Sequence, residues 1–301
     1  MTGPILAIIA AIGFAGKAVL VRMAYASDPK LDATTLVALR MALSLPFCLF
    51  MLWWQGRGGR SKPLTKRDWM TMIWLGFIGY YIASFLDFLG LEYISSALER
   101  ILLFTYPTLV VLISAVLYRK PVHSHAIIAL LLTVAGTVVS FANDMRFTSS
   151  TSALGKGTAL VLGSAVFYAL FLIGSGHNVE RVGSLRFSAL ALSIAAGFVL
   201  AQFFLLRPAS ALILPAKIYW LGLALAWFST GLPIFLTIEA IRLVGASRVS
   251  IAGSVGPIVT IWLGHIFLDE PVTWLQMGGA ALVLAGVGLI TVSRAEAPKA
   301  V

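Results

Sequence analysis

Residues 106–121 read YPTLVVLISAVLYRKP, and residues 256–271 read GPIVTIWLGHIFLDEP. Each stretch has a proline in second place and ends on another, and the register between them is 150 residues. Pro107 meets Pro257, Pro121 meets Pro271, and further on Gly136 meets Gly286, with no gap between them. Leu and Ala match by chance in any apolar chain. Proline removes a backbone donor and glycine removes a side chain, so their agreement in fixed register is far more restrictive. Toward the N-terminus Phe85 meets Phe235, Phe77 meets Trp227 and Arg67 meets Lys217. Arg40 and Arg186 open the second apolar run of each half at a slightly different shift. The chain therefore divides into two copies of one unit, residues 1–145 and 146–301.

The setting of these copies is apolar. Of 301 residues, 59% are hydrophobic and 11% charged, and the mean hydropathy is +0.95. A soluble domain carries about 25% charged residues, so this chain lacks the ionised groups to cover a water-facing surface. That excludes a soluble enzyme, a nucleic-acid-binding module and a disordered scaffold, and makes the lipid bilayer the first partner. The net charge of +10 is spread along short connections rather than gathered into a patch for nucleic acid. Cys48 is the single cysteine, which precludes an internal disulfide. Runs of about 20 apolar residues span a bilayer as helices. Ten are predicted, at roughly 3–25, 33–54, 69–91, 96–118, 123–142, 155–177, 185–206, 218–243, 247–268 and 273–293. They do not alternate apolar with polar as barrel strands would. The fold class is an all-α integral membrane protein.

Lys and Arg placement orients it. With the N-terminus in the cytoplasm, the inner connections hold thirteen basic residues, five of them between Arg57 and Arg67, against five outside (Lys30, Arg146, Lys156, Arg207 and Lys217). Both termini are thus expected on the cytoplasmic side of a bacterial-type inner membrane. Ala24-Tyr25-Ala26 mimics a signal-peptidase site, but no basic residue precedes the run and Arg22 interrupts it, so the first span is read as retained.

Five crossings per unit is an odd number, so the second copy must run upside down relative to the first. Inverted repeats are the architecture of transporters that expose a central site alternately to each side. Ten helices in a five-plus-five repeat, each half ending in Pro, a dozen residues, a polar turn with Pro and a Gly-bearing helix, resemble the drug/metabolite transporter superfamily of the EamA type. Asp269-Glu270-Pro271 is similar to that family's acidic turn, whereas the first copy carries Arg119-Lys120, which marks the turn as structural. Gly79-Tyr80-Tyr81 with Phe104-Thr105-Tyr106-Pro107 resembles the aromatic amino-acid exporters of the YddG type. The resemblance implies a solute site near the midplane among spans 1, 3, 4, 6, 8 and 9, and nothing in the sequence requires a nucleotide, metal or other cofactor.

Ionisable groups inside a bilayer are costly and are functional candidates by default. Lys17, in mid-span 1, is expected to meet a substrate carboxylate or pair with an internal acid, against snorkelling to the boundary. Arg40 is read as snorkelling. Asp87 is expected to bind protons or pair with Lys17 or Arg100, on one face with Tyr80 and Ser84. Glu99 is read first as the acid of a capping box, Ser96-Ala97-Leu98-Glu99, with a coupling or ion-pair role as the alternative. Glu239 and Arg242 are read as an interfacial ion pair. Phe14, Tyr81, Phe85, Tyr106, Phe167, Tyr168, Trp227, Phe235 and Trp262 form, with Lys17, the candidate substrate-binding set, since rings in mid-span can stack on a solute or attract an amine. Packing or lipid contact is the plainer reading for any one of them. Pro107, Pro233 and Pro257 are candidate gating hinges. His123 and His125 lack a third ligand and are read as solvated turn residues, so no metal site is expected.

The expected function is export of small amphipathic solutes, amino acids foremost, with proton coupling and oligomeric state left open. One rival is an exchanger of phosphorylated or nucleotide-linked metabolites, which needs several basic residues converging on the cavity. The other is a membrane-embedded enzyme, which would show clustered aspartates or a nucleophile with its base.

Overall fold

The computed structural model describes residues 2–57, 63–119, 124–148, 150–245, 249 and 252–296. Among them every regular element is helical. The helices are α1 (Thr2–Ser27), α2 (Ala33–Arg57), α3 (Lys66–Gly90), α4 (Ser96–Leu117), α5 (Ser124–Asp144), α6 (Thr151–Val182), α7 (Ser184–Leu206), α8 (Ala216–Val244), α9 (Gly256–Leu268) and α10 (Trp274–Glu296). All but α9 are long and apolar enough to cross a bilayer unaided. Residues 252–253 are helical too, so the ninth crossing is split, and part of its expected beginning lies outside the described residues. The sixth helix exceeds its expected run by about a turn at the 177 end, because His177 to Val182 stay helical beyond the apolar stretch.

Irregularities recur in the register of the prolines. A π-helical segment starts at Phe77 in α3 and another at Trp227 in α8. Turns at 104–105 and 254–255 interrupt the fourth and ninth crossings. Left-handed backbone recurs at Arg119 (φ 50°) and Asp269 (φ 55°), where those crossings end. Each pair is separated by the same 150 residues. Pro107 and Pro257 stand in the first turn of a new helical segment, where the missing N–H forfeits no bond that the segment would otherwise make and the fixed φ suits helix entry. Pro233 lies within α8, two residues after its π segment, where the ladder loses one donor. Pro46 stands inside α2.

Packing follows the same symmetry. Helix α5 lies along α10 and α2 along α7, each with its counterpart from the other half. By contrast α1 packs on α8 and α9, and α6 on α3 and α4, so each half inserts its first helix into the other. Small residues permit this: Ala7, Ala10, Ala11, Ala15, Ala18 and Ala24 form the buried face of α1. Where α5 meets α10, a Cβ on Gly136 would lie 2.5 Å from the Gly279 carbonyl, and one on Gly286 2.7 Å from that of Ala129.

Candidate functional site

Where the two halves interlock they leave a cavity of about 520 Å³. Its wall runs from Lys17, Arg40 and Asp87 at one depth to Val179 and Ile241, within a turn of the ends of α6 and α8. The cavity thus reaches toward the face that holds the start of α1. Rings from Phe14, Tyr80, Phe104, Tyr106, Tyr168, Phe171 and Phe187 line it, with Ser84, Ser164, Ser188 and Thr230 among the hydroxyls. Tyr106 and Tyr168 meet edge to face at 5.1 Å, and Tyr80 meets Phe171 at 4.9 Å. Leu103 and Gly253 also line the wall. Each lies four residues before a proline that cannot donate to its carbonyl.

At the deep end Lys17 Nζ donates to Asp87 Oδ2 at 2.6 Å and lies 3.0 Å from Glu99 Oε1. Helices α1, α3 and α4 meet through these three charges. Glu99 is fully buried, and the cap of α4 is Ser95, whose hydroxyl accepts from the Leu98 N–H at 3.1 Å. The capping-box reading of Glu99 is therefore corrected: the helix begins one residue earlier, which turns Glu99 inward to Lys17. Arg40 does not snorkel. It is buried, donates to Thr230 Oγ1 at 3.1 Å and Ser84 Oγ at 3.4 Å, and lies 5.2 Å from the Phe88 ring centre. Arg100 lines the wall with its guanidinium 5.6 Å from the Phe104 ring. The Glu239–Arg242 pair forms as read, at 2.5 Å.

Of the ten candidate substrate-binding residues, Phe14, Lys17, Tyr106 and Tyr168 line the cavity, as does the hinge candidate Pro107. Tyr81 turns away to Phe77 and Phe198. Phe167 packs against the cluster around Met72 and Leu75. Phe85 is off the wall, and Trp227, Phe235 and Trp262 are 43%, 40% and 51% exposed on the outside of the bundle. Tyr80, Phe104 and Phe171 take their places. The signal for Tyr80 lay in its shared helical face with Ser84 and Asp87, which a choice by ring content alone passes over. Pro233 is buried against Gly13, and Pro257 is buried at the head of α9. His123 lies outside the described residues, and His125 is exposed at the start of α5.

The face opposite the open end is closed by polar contacts between the halves. Glu270 accepts from the Ser96 N–H at 3.0 Å and its hydroxyl at 2.7 Å, with Arg22 Nε 3.9 Å away. Thr273 donates to Asn143 at 2.5 Å, and Arg207 pairs with Asp32. On the open face Asp68 caps α3 with Thr65 and pairs with Arg181 at 2.7 Å.

The model of the EamA-like transporter family matches residues 1–142 and residues 155–292, one match on each half. The chain is 28% identical over 295 residues to the uncharacterized transporter YcbK of Bacillus subtilis (strain 168), covering 95% of this chain and 92% of that one. It is 22% identical to the uncharacterized transporter sll1319 of Synechocystis sp. (strain ATCC 27184 / PCC 6803 / Kazusa), covering 96% and 93%. A solved crystal structure superposes with a TM-score of 0.68 at 16% identity, over 98% of this chain and 99% of the other, which speaks for the fold.

Proposed function

The chain belongs to the EamA-like transporter family, and on that premise we propose that it exports small amphipathic solutes, amino acids with aromatic or hydrophobic side chains foremost. It is a multi-pass membrane transporter of ten helices in two inverted repeats. The observation that carries the substrate reading is the cavity between the halves, where seven rings and a few hydroxyls surround a cluster of buried charges. Rings offer an apolar body its contacts, and the charges offer a zwitterionic head its counter-groups. A phosphorylated solute finds less support, because Lys17 is already paired with two acids.

Transport proceeds by alternating access. The two units, residues 1–145 and 146–301, move about the breaks before Pro107, Pro233 and Pro257 and expose the cavity first to one face and then to the other. Both states must lie within a few kcal/mol, since a deeper well would trap the cycle. The N- and C-termini are cytoplasmic in an inner membrane, which makes the open end of this state inward-facing. Lys17, Asp87 and Glu99 form the coupling site: two carboxylates around one ammonium hold a proton in one state and release it in the other.

Proteoliposome counterflow tests this reading. Labelled phenylalanine or tryptophan is expected to exchange, faster with an imposed pH gradient, and to be competed by unlabelled hydrophobic amino acids. Competition by sugar phosphates alone would replace the substrate class, and product formation without compartments would indicate an enzyme.

A further inference from the structure

The three cations on the cavity wall differ in what compensates them. Lys17 faces Asp87 at 2.6 Å and Glu99 at 3.0 Å, so its charge is already met twice. Arg40 is held by hydroxyls of α3 and α8 and by the Phe88 ring. Arg100 has no acid or hydroxyl at hydrogen-bond or ion-pair distance among the described residues, and Glu99, whose charge it feels, is in contact with Lys17 instead. Its Nε is buried with no hydrogen bond among them. The Phe104 ring beside it favours the cation but leaves the donor fork unused. Room for the guanidinium comes from Gly256, where a Cβ would lie 2.8 Å from Nη2. An unsatisfied guanidinium inside a bilayer is costly, and a ligand that supplies an anion removes that cost.

We propose that Arg100 is the docking group for the carboxylate of the transported solute, whose apolar body lies against Phe14, Tyr106, Tyr168 and Phe171. This rests on the transport reading above and adds which end of the solute is recognised, and by which residue. The planar fork matches a carboxylate with two parallel bonds. One free fork calls for one negative charge. A phosphate dianion would need a second free cation, and Arg40 is engaged elsewhere. The role expected of Lys17 thus passes to Arg100, because internal acids occupy Lys17.

The test compares binding of L-tryptophan and L-tryptophan amide to the full chain in detergent, with phenyl phosphate as the competing anion. Wild type is expected to prefer the acid to the amide by about tenfold or more. Arg100→Gln should bring that ratio close to one while leaving amide binding in place, which also shows that the variant is folded. Arg100→Lys should restore part of the preference, and Gly256→Ala, which displaces the guanidinium, should lower it. An undiminished preference in Arg100→Gln overturns the assignment. Equal binding of acid and amide by wild type overturns it while leaving tryptophan transport intact. Tighter phenyl phosphate binding that Arg100→Gln abolishes replaces the carboxylate by a phosphate. If wild type neither binds nor exchanges tryptophan, the transport reading falls with it.

Discussion

Lys17 stands between two carboxylates, so losing the cation and losing one acid are unequal events. Lys17→Met leaves Asp87 and Glu99 facing each other in an apolar interior, and breaking a buried pair in this way costs roughly 3–5 kcal/mol. Glu99→Gln leaves a one-to-one pair at 2.6 Å and should cost about 1 kcal/mol or less. Thermal melts in detergent at neutral pH should therefore separate the two variants widely, and equal losses would contradict the arrangement. Two acids outside the spans respond to pH in opposite senses. Burial pushes the Glu92 carboxyl up from 4.5 despite the bond from the Ala33 N–H. Burial would also raise Asp32, but hydrogen bonds from Thr35 and Arg207 hold it below 3.8. A raised acid favours the fold below its ordinary value and loses that contribution as pH rises through the folded one. A lowered acid favours the fold above its ordinary value and loses that as pH falls. Glu92→Gln should melt higher than wild type near pH 7, with the advantage gone near pH 4. Asp32→Asn should melt lower near pH 7, with the deficit shrinking toward pH 3, and slopes of the same sign would refute the pair. Lys17 and Asp87 were legible because an ionised group in an apolar run has few reasons to be there. Arg40 and Glu99 had plainer readings, at a boundary and in a cap, that the fold overturns. Rings were not legible, since the same Phe or Trp suits lipid, core or cavity. Tyr81 and Phe85 share a face that the π segment of α3 carries away from the cavity.

Breaks at matching positions turn the ten helices into two copies of one unit. A π segment adds a residue to a turn and rotates the helix beyond it, so its recurrence at Phe77 and Trp227 preserves the same bend in both halves. Arg119 and Asp269 end their helices in the same left-handed conformation although their charges are opposite, which makes that turn a backbone requirement. Gly136 and Gly286 perform a different task, bringing the backbones of α5 and α10 together. Because a Cβ on Gly136 would meet the Gly279 carbonyl at 2.5 Å, relief requires moving a helix rather than a side chain. Gly136→Val should cost about 1–3 kcal/mol by overpacking, read as a lower melting point. Gly278→Val, with open space around it, should lose much less. Equal melting would disprove the packing account. The glycines and prolines in register made this architecture readable, because each removes a choice the backbone would otherwise have. The π segments were not readable: nothing in Phe-Ile-Gly-Tyr-Tyr-Ile distinguishes them from ordinary helix. Proline in the first turn after a break also looks, in sequence, the same as proline inside a continuous helix.

Closure of one face and access at the other are properties of the assembled halves. The acidic turn of the second half reaches α4 of the first, where Glu270 accepts two bonds from Ser96 and lies near Arg22. Hydrogen bonds to a charged group contribute about 1.5–3 kcal/mol each, comparable to the gap between two conformers of a working transporter. Glu270 is therefore expected to weight the balance between the two states of the proposed alternating-access cycle. A cysteine at Ile234, partly exposed on the cavity wall, reports that balance, because the native Cys48 is buried and reacts little. In membranes of known orientation, Ile234→Cys should react with an impermeant thiol reagent mainly from the side that holds the N-terminus. Adding Glu270→Ala should raise labelling from the opposite side by about tenfold or more, the population change that about 1.4 kcal/mol produces. Ser96→Ala, which removes the hydroxyl bond but keeps the backbone one, should fall between. If labelling stays one-sided in Glu270→Ala while the protein remains folded, the closing energy resides elsewhere, with the Asp32–Arg207 and Asn143–Thr273 contacts next to be broken.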